Sequence, residues 1–207
     1  AAWRAFAARA VLVTGQLRAE TVFRLQLSRL LATEGLDVVV FATWRGYLAA
    51  GHWLRQAEQR AGASFRLLEV TKDPSVTALD NFPKLGSSKL QDALLRAGLD
   101  VIRAYFGPGC GGDEILVLKT RTDVFLPSGL LNRIFWLNYS LPPEDAGRPF
   151  RRRIWIPWFD ALQPFFMADD TFAACLLDMW QLCWPPEALR PPALQGRAYF
   201  HVHRWVN

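Results

Sequence analysis

The sequence predicts an α/β domain: a mostly parallel sheet with helices on both faces. Three observations carry that prediction. Short, largely apolar runs recur at Ala10–Val13, Val38–Phe41, Phe65–Val70 and Ile115–Leu118. Stretches with helical apolar spacing separate them, and glycines fall at the joints. Strands that alternate with helices in this way pair in parallel, because a parallel neighbour is reached only through a crossover long enough to hold a helix.

Ala10-Val11-Leu12-Val13 is stopped by Thr14-Gly15, the pattern of a buried strand running into a turn. From Glu20 to Ala32, Phe23, Leu27, Leu30 and Leu31 repeat at helical spacing, and Gly35 closes that helix. Val38–Phe41 is the second strand. A helix from Leu48 to Arg60 ends near Gly62, and Phe65–Val70 is the third strand. After the turn formers Asp73-Pro74 and Asn81-Phe82-Pro83, a long amphipathic helix runs from about Ser88 to Tyr105 with Leu90, Leu94, Ala97 and Val101. Gly107-Pro108-Gly109 and Gly111-Gly112 break it. Ile115–Leu118 is the most uniformly apolar strand and is placed centrally in the sheet. Beyond it the pattern loosens. A short helix is expected over Ser128–Trp136, a polar loop over Pro142–Arg153, a strand at Ile154–Ile156, a helix from Thr171 to Cys183 and a strand over Ala198–Val202.

A length of 207 residues with no internal repeat and no clean linker fits a single domain over 1–207, taken as a segment of a longer chain. About half of the residues are apolar, which supports a continuous core, and 9 Trp with 14 Phe suggest aromatic clusters around a cleft or interface. Cys110, Cys175 and Cys183 are too few and too scattered for a disulfide framework or a zinc site, so a reducing, cytoplasmic setting is expected. No run approaches the roughly 20 apolar residues that span a bilayer. Ala1–Ala10 is interrupted by Arg4 and Arg9 and does not read as a signal peptide.

The net charge is +5. Lys72, Lys84, Lys89 and Lys119 are the only lysines, so the basic side is mostly arginine, a residue suited to bidentate phosphate contacts. A GC-rich coding sequence gives the same bias, and both readings stand. The dense run Arg151-Arg152-Arg153 reads as a solvated loop or as a peripheral contact with an anionic membrane or a phosphorylated acceptor. No coherent basic–aromatic strand pattern is present, which argues against nucleic acid as the partner.

In an open α/β sheet, ligands bind beyond the carboxyl ends of the strands. Two polar clusters fall there. In Thr14-Gly15-Gln16-Leu17-Arg18, Gly15 would let the backbone approach a ligand and Arg18 would reach a phosphate; an ordinary strand-end turn explains the same residues. The absence of glycine from Gln16 to Glu20 argues against a dinucleotide fingerprint. The second cluster is Lys119-Thr120-Arg121-Thr122-Asp123. If the strand continues, Lys119, Arg121 and Asp123 share one face. Two cations beside a carboxylate suit a metal-diphosphate, with Mg²⁺ or Mn²⁺ on Asp123 and phosphate oxygens on Lys119 and Arg121; a solvated strand end with a local ion pair is the alternative. Asp169-Asp170 precedes the expected helix. Asp170 or Thr171 suffices as an N-cap, leaving Asp169 as a candidate general base. His201 and His203 alternate on one face of the last expected strand, as metal or phosphate ligands or as ordinary partly buried histidines.

Several blocks resemble a known family. Val13-Thr14-Gly15-Gln16-Leu17-Arg18 is similar to the Ser-Gly-Gln-Ile-Arg-type opening of the WavE lipopolysaccharide-synthesis proteins. Lys119-Thr120-Arg121-Thr122-Asp123 resembles their Lys-Thr-Arg-Thr-Asp signature, and Pro164-Phe165-Phe166-Met167-Ala168-Asp169 their later Pro-Phe block ending in Asp. The stretch from Asn81 through Ser88 to Gly98-Leu99 resembles a helix of theirs more loosely, and the likeness runs from Val11 to Asp170. It implies a Rossmann-like, GT-A-type fold and a glycosyltransferase that moves a sugar from a nucleotide-sugar donor to a hydroxyl of a glycan or glycolipid. By that resemblance Thr14, Gly15, Arg18, Lys119, Arg121 and Asp123 bind the donor, Asp123 holds a divalent cation (Mn²⁺ or Mg²⁺), and Asp169 faces the acceptor. Arg121 stands where the first acidic residue of the family's metal motif is usual. The rival expectation is a non-catalytic nucleotide- or glycan-binding domain of the same fold.

Overall fold

The computed structural model describes residues 6–17, 19–46, 52–71, 83–141, 151–156 and 171–183. Among them five strands form one sheet: β1 (Ala8–Thr14), β2 (Val38–Trp44), β3 (Phe65–Val70), β4 (Ile115–Arg121) and β5 (Phe172–Cys175). The helices are α1 (Glu20–Leu31), α2 (His52–Ala61), α3 (Pro83–Phe106), α4 (Ser128–Phe135) and α5 (Leu176–Cys183), with a 3₁₀ turn at Gly62–Ser64.

The sheet order is β3-β2-β1-β4-β5. The first four strands are parallel, and β5 runs antiparallel to β4. The mostly parallel α/β architecture is therefore as the sequence predicts. So is the interior position of Ile115–Leu118, although β1 rather than β4 is the middle strand. Strand alternation splits the core in two. Val11, Val13, Val39, Phe41, Leu116 and Leu118 pack with Phe23, Leu27 and Leu30 of α1, Leu54 of α2 and Leu131 and Ile134 of α4. Ala10, Leu12, Val38, Val40, Ile115 and Val117 pack with Leu94, Leu95, Leu99 and Ile102 of α3 and Leu176, Met179 and Leu182 of α5. The chain moves outward through β1, β2 and β3 with α1 and α2 on one face. It then returns across β1 to β4 with α3 on the other, as right-handed crossovers require when the direction of travel reverses.

Three expectations are corrected. Residues 171–183 are not one helix: Phe172–Cys175 is a strand, and the helix begins at Leu176. The reason is tertiary. β4 has a bare edge opposite Leu116–Lys119, and pairing Cys175, Ala174, Ala173 and Phe172 along it satisfies backbone groups that burial would otherwise leave unpaired. The Ile154–Ile156 strand shrinks to a single bridge between Trp155 and Ala173. The first strand begins earlier than expected, at Ala8, and takes in Arg9. That arginine is held by its backbone N–H on Asp37 Oδ2 (2.8 Å) and by its guanidinium over the Trp136 ring (4.5 Å to the centroid). The expected strand over Ala198–Val202, with His201 and His203, lies outside the described residues.

Two acidic groups are buried in their neutral forms. Burial, followed by the Asp178 carboxylate, pushes the Cys175 thiol well above its ordinary range. Burial likewise raises the Tyr139 phenol, whose hydroxyl donates to the Ile134 carbonyl at 3.0 Å. The native state holds these protons at pH values where the unfolded chain has released them. Their contribution is complete below the ordinary thiol and phenol values of 9.0 and 10.0 and is lost as pH climbs past them. The slope approaches about 1.4 kcal/mol per pH unit for each group. Urea midpoints should therefore fall steadily as pH rises above the ordinary thiol value of 9.0 and more steeply above the phenol value of 10.0, and a midpoint that stays flat there would contradict the assignment.

Candidate functional site

The strand order reverses between β1 and β4, and open α/β sheets take their ligands beyond the carboxyl ends of the strands at such a point. The last residues of the two strands, Thr14 and Arg121, are register partners. Gly15 turns the chain off β1 with φ +113°, a conformation that an L side chain rarely adopts, and its N–H donates to the Ala42 carbonyl at 3.2 Å. A side chain added at Gly15 would meet nothing within 4 Å, so the backbone there faces open space. On the other strand the chain turns immediately after Arg121, with the Val124 N–H reaching the Arg121 carbonyl at 3.3 Å. The Thr122 hydroxyl then donates to the Gln16 carbonyl at 2.5 Å and ties the two strand ends together.

Thr14, Gly15, Gln16, Arg121, Thr122 and Asp123, together with Gln91 from α3, line a small open cleft with a cavity volume of about 50 Å³. The strand does not continue to Asp123 as the alternation argument assumed. The turn instead folds Asp123 back onto Arg121, whose Nε donates to Oδ1 at 2.9 Å and Nη2 to Oδ2 at 2.7 Å. About a third of each side chain remains exposed (33% and 32%), so the fork stands at the cleft wall and not in the interior. A planar guanidinium fixed at two points by a carboxylate is a rigid, permanently charged donor array.

Of the residues singled out from the sequence, the structure brings Thr14, Gly15, Arg121 and Asp123 together. Lys119 belongs to the same strand face but lies deeper: it is 4% exposed, with its ammonium 5.8 Å from the centroid of the Phe172 ring, and is not part of the cleft lining. Arg18 and Asp169 lie outside the described residues. Gln91 is the lining residue that sequence reasoning missed. The signal for it is its place on the stripe 91, 95, 98, 102 of α3, where Leu95, Gly98 and Ile102 face the sheet: a glutamine on a core-facing stripe points to a polar cavity at that end.

Just below the cleft the Thr120 and Thr171 hydroxyls meet at 3.3 Å, joining β4 to the entry of β5. A larger hollow, about 540 Å³, opens at the amino end of β4 between Arg103, Gly107, Cys110, Gly112 and Leu177. Size does not make it the better site. Its lining is mostly apolar or glycine backbone, and desolvation, with Glu114, Asp37 and Asp113 nearby, raises the Cys110 thiol and makes it a poor nucleophile. The smaller cleft is where charged and amide groups converge.

No helix among the described residues is long and apolar enough to cross a membrane. The fold and the cleft thus define an α/β protein with a polar site at the topological switch point of its sheet. The chain matches no protein-family model, and no curated protein matches it.

Proposed function

We propose that the switch-point cleft is the donor site of a glycosyltransferase of GT-A type, which transfers a sugar from a nucleotide-sugar to a hydroxyl of a glycan or glycolipid. One observation carries the reading. The two blocks that resemble the WavE proteins, Thr14-Gly15-Gln16 and Arg121-Thr122-Asp123, are more than 100 residues apart in sequence (16 to 121) yet line the same cleft. Gly15 admits the donor backbone-close, and the carboxamides of Gln16 and Gln91 offer paired donor and acceptor groups for a base or sugar hydroxyls.

In the reaction, the acceptor oxygen bonds to the anomeric carbon as that carbon's bond to the β-phosphate oxygen breaks. The bonding pair leaves with the diphosphate, and the acceptor proton passes to a base, for which Asp169 is proposed in an inverting transfer. Charge develops on the departing phosphate, so preorganised cations there supply most of the rate. Arg121 takes this role at the cleft wall, and Arg18 is proposed to join it. The basic run at Arg151–Arg153 is proposed to meet a glycolipid headgroup.

The test is turnover with nucleotide-diphosphate sugars and glycan or glycolipid acceptors, with Asp169→Asn beside the wild type. Nucleotide release that needs an acceptor and drops by about a hundredfold or more in Asp169→Asn supports the proposal. Tight donor binding without turnover on any acceptor would favour a non-catalytic nucleotide- or glycan-binding domain, the reading to which the pairing of Asp123 with Arg121 gives weight.

A further inference from the structure

We infer that this cleft binds a diphosphate without a divalent cation, the Arg121 guanidinium standing in the cation's place and Asp123 serving as its positioning residue. The inference rests on the donor-site reading and concerns what neutralises the donor there.

A hard cation needs carboxylate lone pairs, and Mg²⁺ in particular demands near-octahedral oxygen donors. Asp123 supplies the only carboxylate among the lining residues described, and each of its oxygens already accepts from the guanidinium, at 2.9 and 2.7 Å. The Gln16 carbonyl at the cleft already accepts from the Thr122 hydroxyl. Among the described residues no group of three or more His, Cys, Asp or Glu side chains is placed to share an ion. A dication entering here would have to displace a guanidinium that cannot lose its proton, and would then sit beside it. The donor set does not fit a divalent cation.

It does fit an oxyanion. The fork holds the plane of the guanidinium at the cleft wall. A turn closed by the Val124 N–H sets Arg121 and Asp123 two residues apart, so the pair is local and needs no ligand to assemble. Because the carboxylate orients the cation and also offsets its charge, removing the carboxylate's charge has the opposite consequence from the one a cation site predicts. A cation site loses its ligand with Asp123→Asn. A guanidinium site keeps its charge and sheds a repulsive neighbour.

The experiment is calorimetric titration of inorganic pyrophosphate and of UDP, in EDTA and in Mn²⁺, against the wild type, Asp123→Asn, Arg121→Ala and Arg121→Lys, with thermal melts as the check on folding. Both ligands are expected to bind the wild type in EDTA. Arg121→Ala should weaken them by about tenfold or more, and Arg121→Lys, which keeps the charge but not the fork, by less. Asp123→Asn should bind at least as tightly as the wild type. Binding that needs Mn²⁺ and disappears in Asp123→Asn overturns the inference and leaves the donor site standing. Binding in EDTA that neither Arg121 variant alters also overturns it. No binding of either ligand in either condition overturns the inference and the donor-site reading together.

Discussion

Gly98→Val is expected to lower the stability of the folded chain by about 3 kcal/mol, a fall of roughly 6–12 °C in melting temperature for a protein of this size. Gly98 lies on the sheet-facing stripe of α3, directly over Leu12 of β1. A Cβ built there would collide with Leu12 Cδ1 and come within 2.9 Å of Cδ2 and 3.2 Å of Cγ. Leu12 cannot swing aside cheaply, because it is fully buried and flanked in register by Val40 on β2 and Lys119 on β4. Two effects compete in Gly98→Ala. The helix gains about 1 kcal/mol from losing a glycine, while overpacking costs about 1–3 kcal/mol, so the net loss is smaller than for valine. The coupling is the sharper test. Leu12→Ala alone should cost about 2–5 kcal/mol by opening a cavity, and clearly less in the Gly98→Val background, where the added methyls fill it. A Gly98→Val protein that melts with the wild type would show that α3 does not lie as close to β1 as described. The proposed site is coupled to the same contact. Gln91 precedes Gly98 by seven residues, about 10 Å along the helix, so forcing α3 off the sheet also withdraws Gln91 from the cleft.

How much of this could be read from the sequence depends on where local signals suffice. Phe65–Val70 is recovered to the residue because Gly62 and the preceding helix mark its start. The β5–α5 boundary is not, because Phe172-Ala173-Ala174-Cys175 runs into Leu176-Leu177-Asp178-Met179 with no glycine or proline between them. Alanine favours helix locally, and only the unpaired edge of β4 decides for strand. The site divides in the same way. The rule that ligands gather at strand ends locates Thr14-Gly15 and Arg121–Asp123. Their meeting in one cleft depends on β4 inserting beside β1, which is a property of topology. The strict alternation that put Lys119, Arg121 and Asp123 on one face fails at the last step, since the strand stops at Arg121 and a turn returns Asp123 to it. What that turn creates is a fork in place of two separate ligand groups, and the proposed chemistry of the cleft rests on it.

Asp178→Ala is expected to cost about 3–5 kcal/mol, because one buried carboxylate anchors a whole strap of chain. Asp178 is fully buried in the first turn of α5. Its Oδ1 accepts from the Arg151 N–H at 2.8 Å and its Oδ2 from the Arg152 N–H at 2.7 Å. Arg153 continues the strap by donating to the Tyr139 carbonyl at 2.7 Å, and Trp155 closes it with a reciprocal pair of bonds to Ala173 at 2.8 and 2.9 Å. The strap thereby covers part of the outer edge of β5, which would otherwise offer unpaired backbone groups to solvent. The basic run is therefore fixed by its backbone while the side chains of Arg151 and Arg153 stay exposed and the Arg152 guanidinium sits 5.2 Å from the centroid of the Phe6 ring. Truncation to alanine removes a charged acceptor from two amides at once. Asp178→Asn keeps one acceptor oxygen but turns an amide nitrogen toward a backbone N–H, so it should fall between the wild type and alanine. Hydrogen exchange separates a local role from a global one. Peptides covering 151–156 should exchange faster in Asp178→Ala under native conditions while those covering α1 and β2 keep their protection. Unchanged exchange across 151–156, with stability within about 0.5 kcal/mol of the wild type, would mean that the carboxylate does not hold the strap.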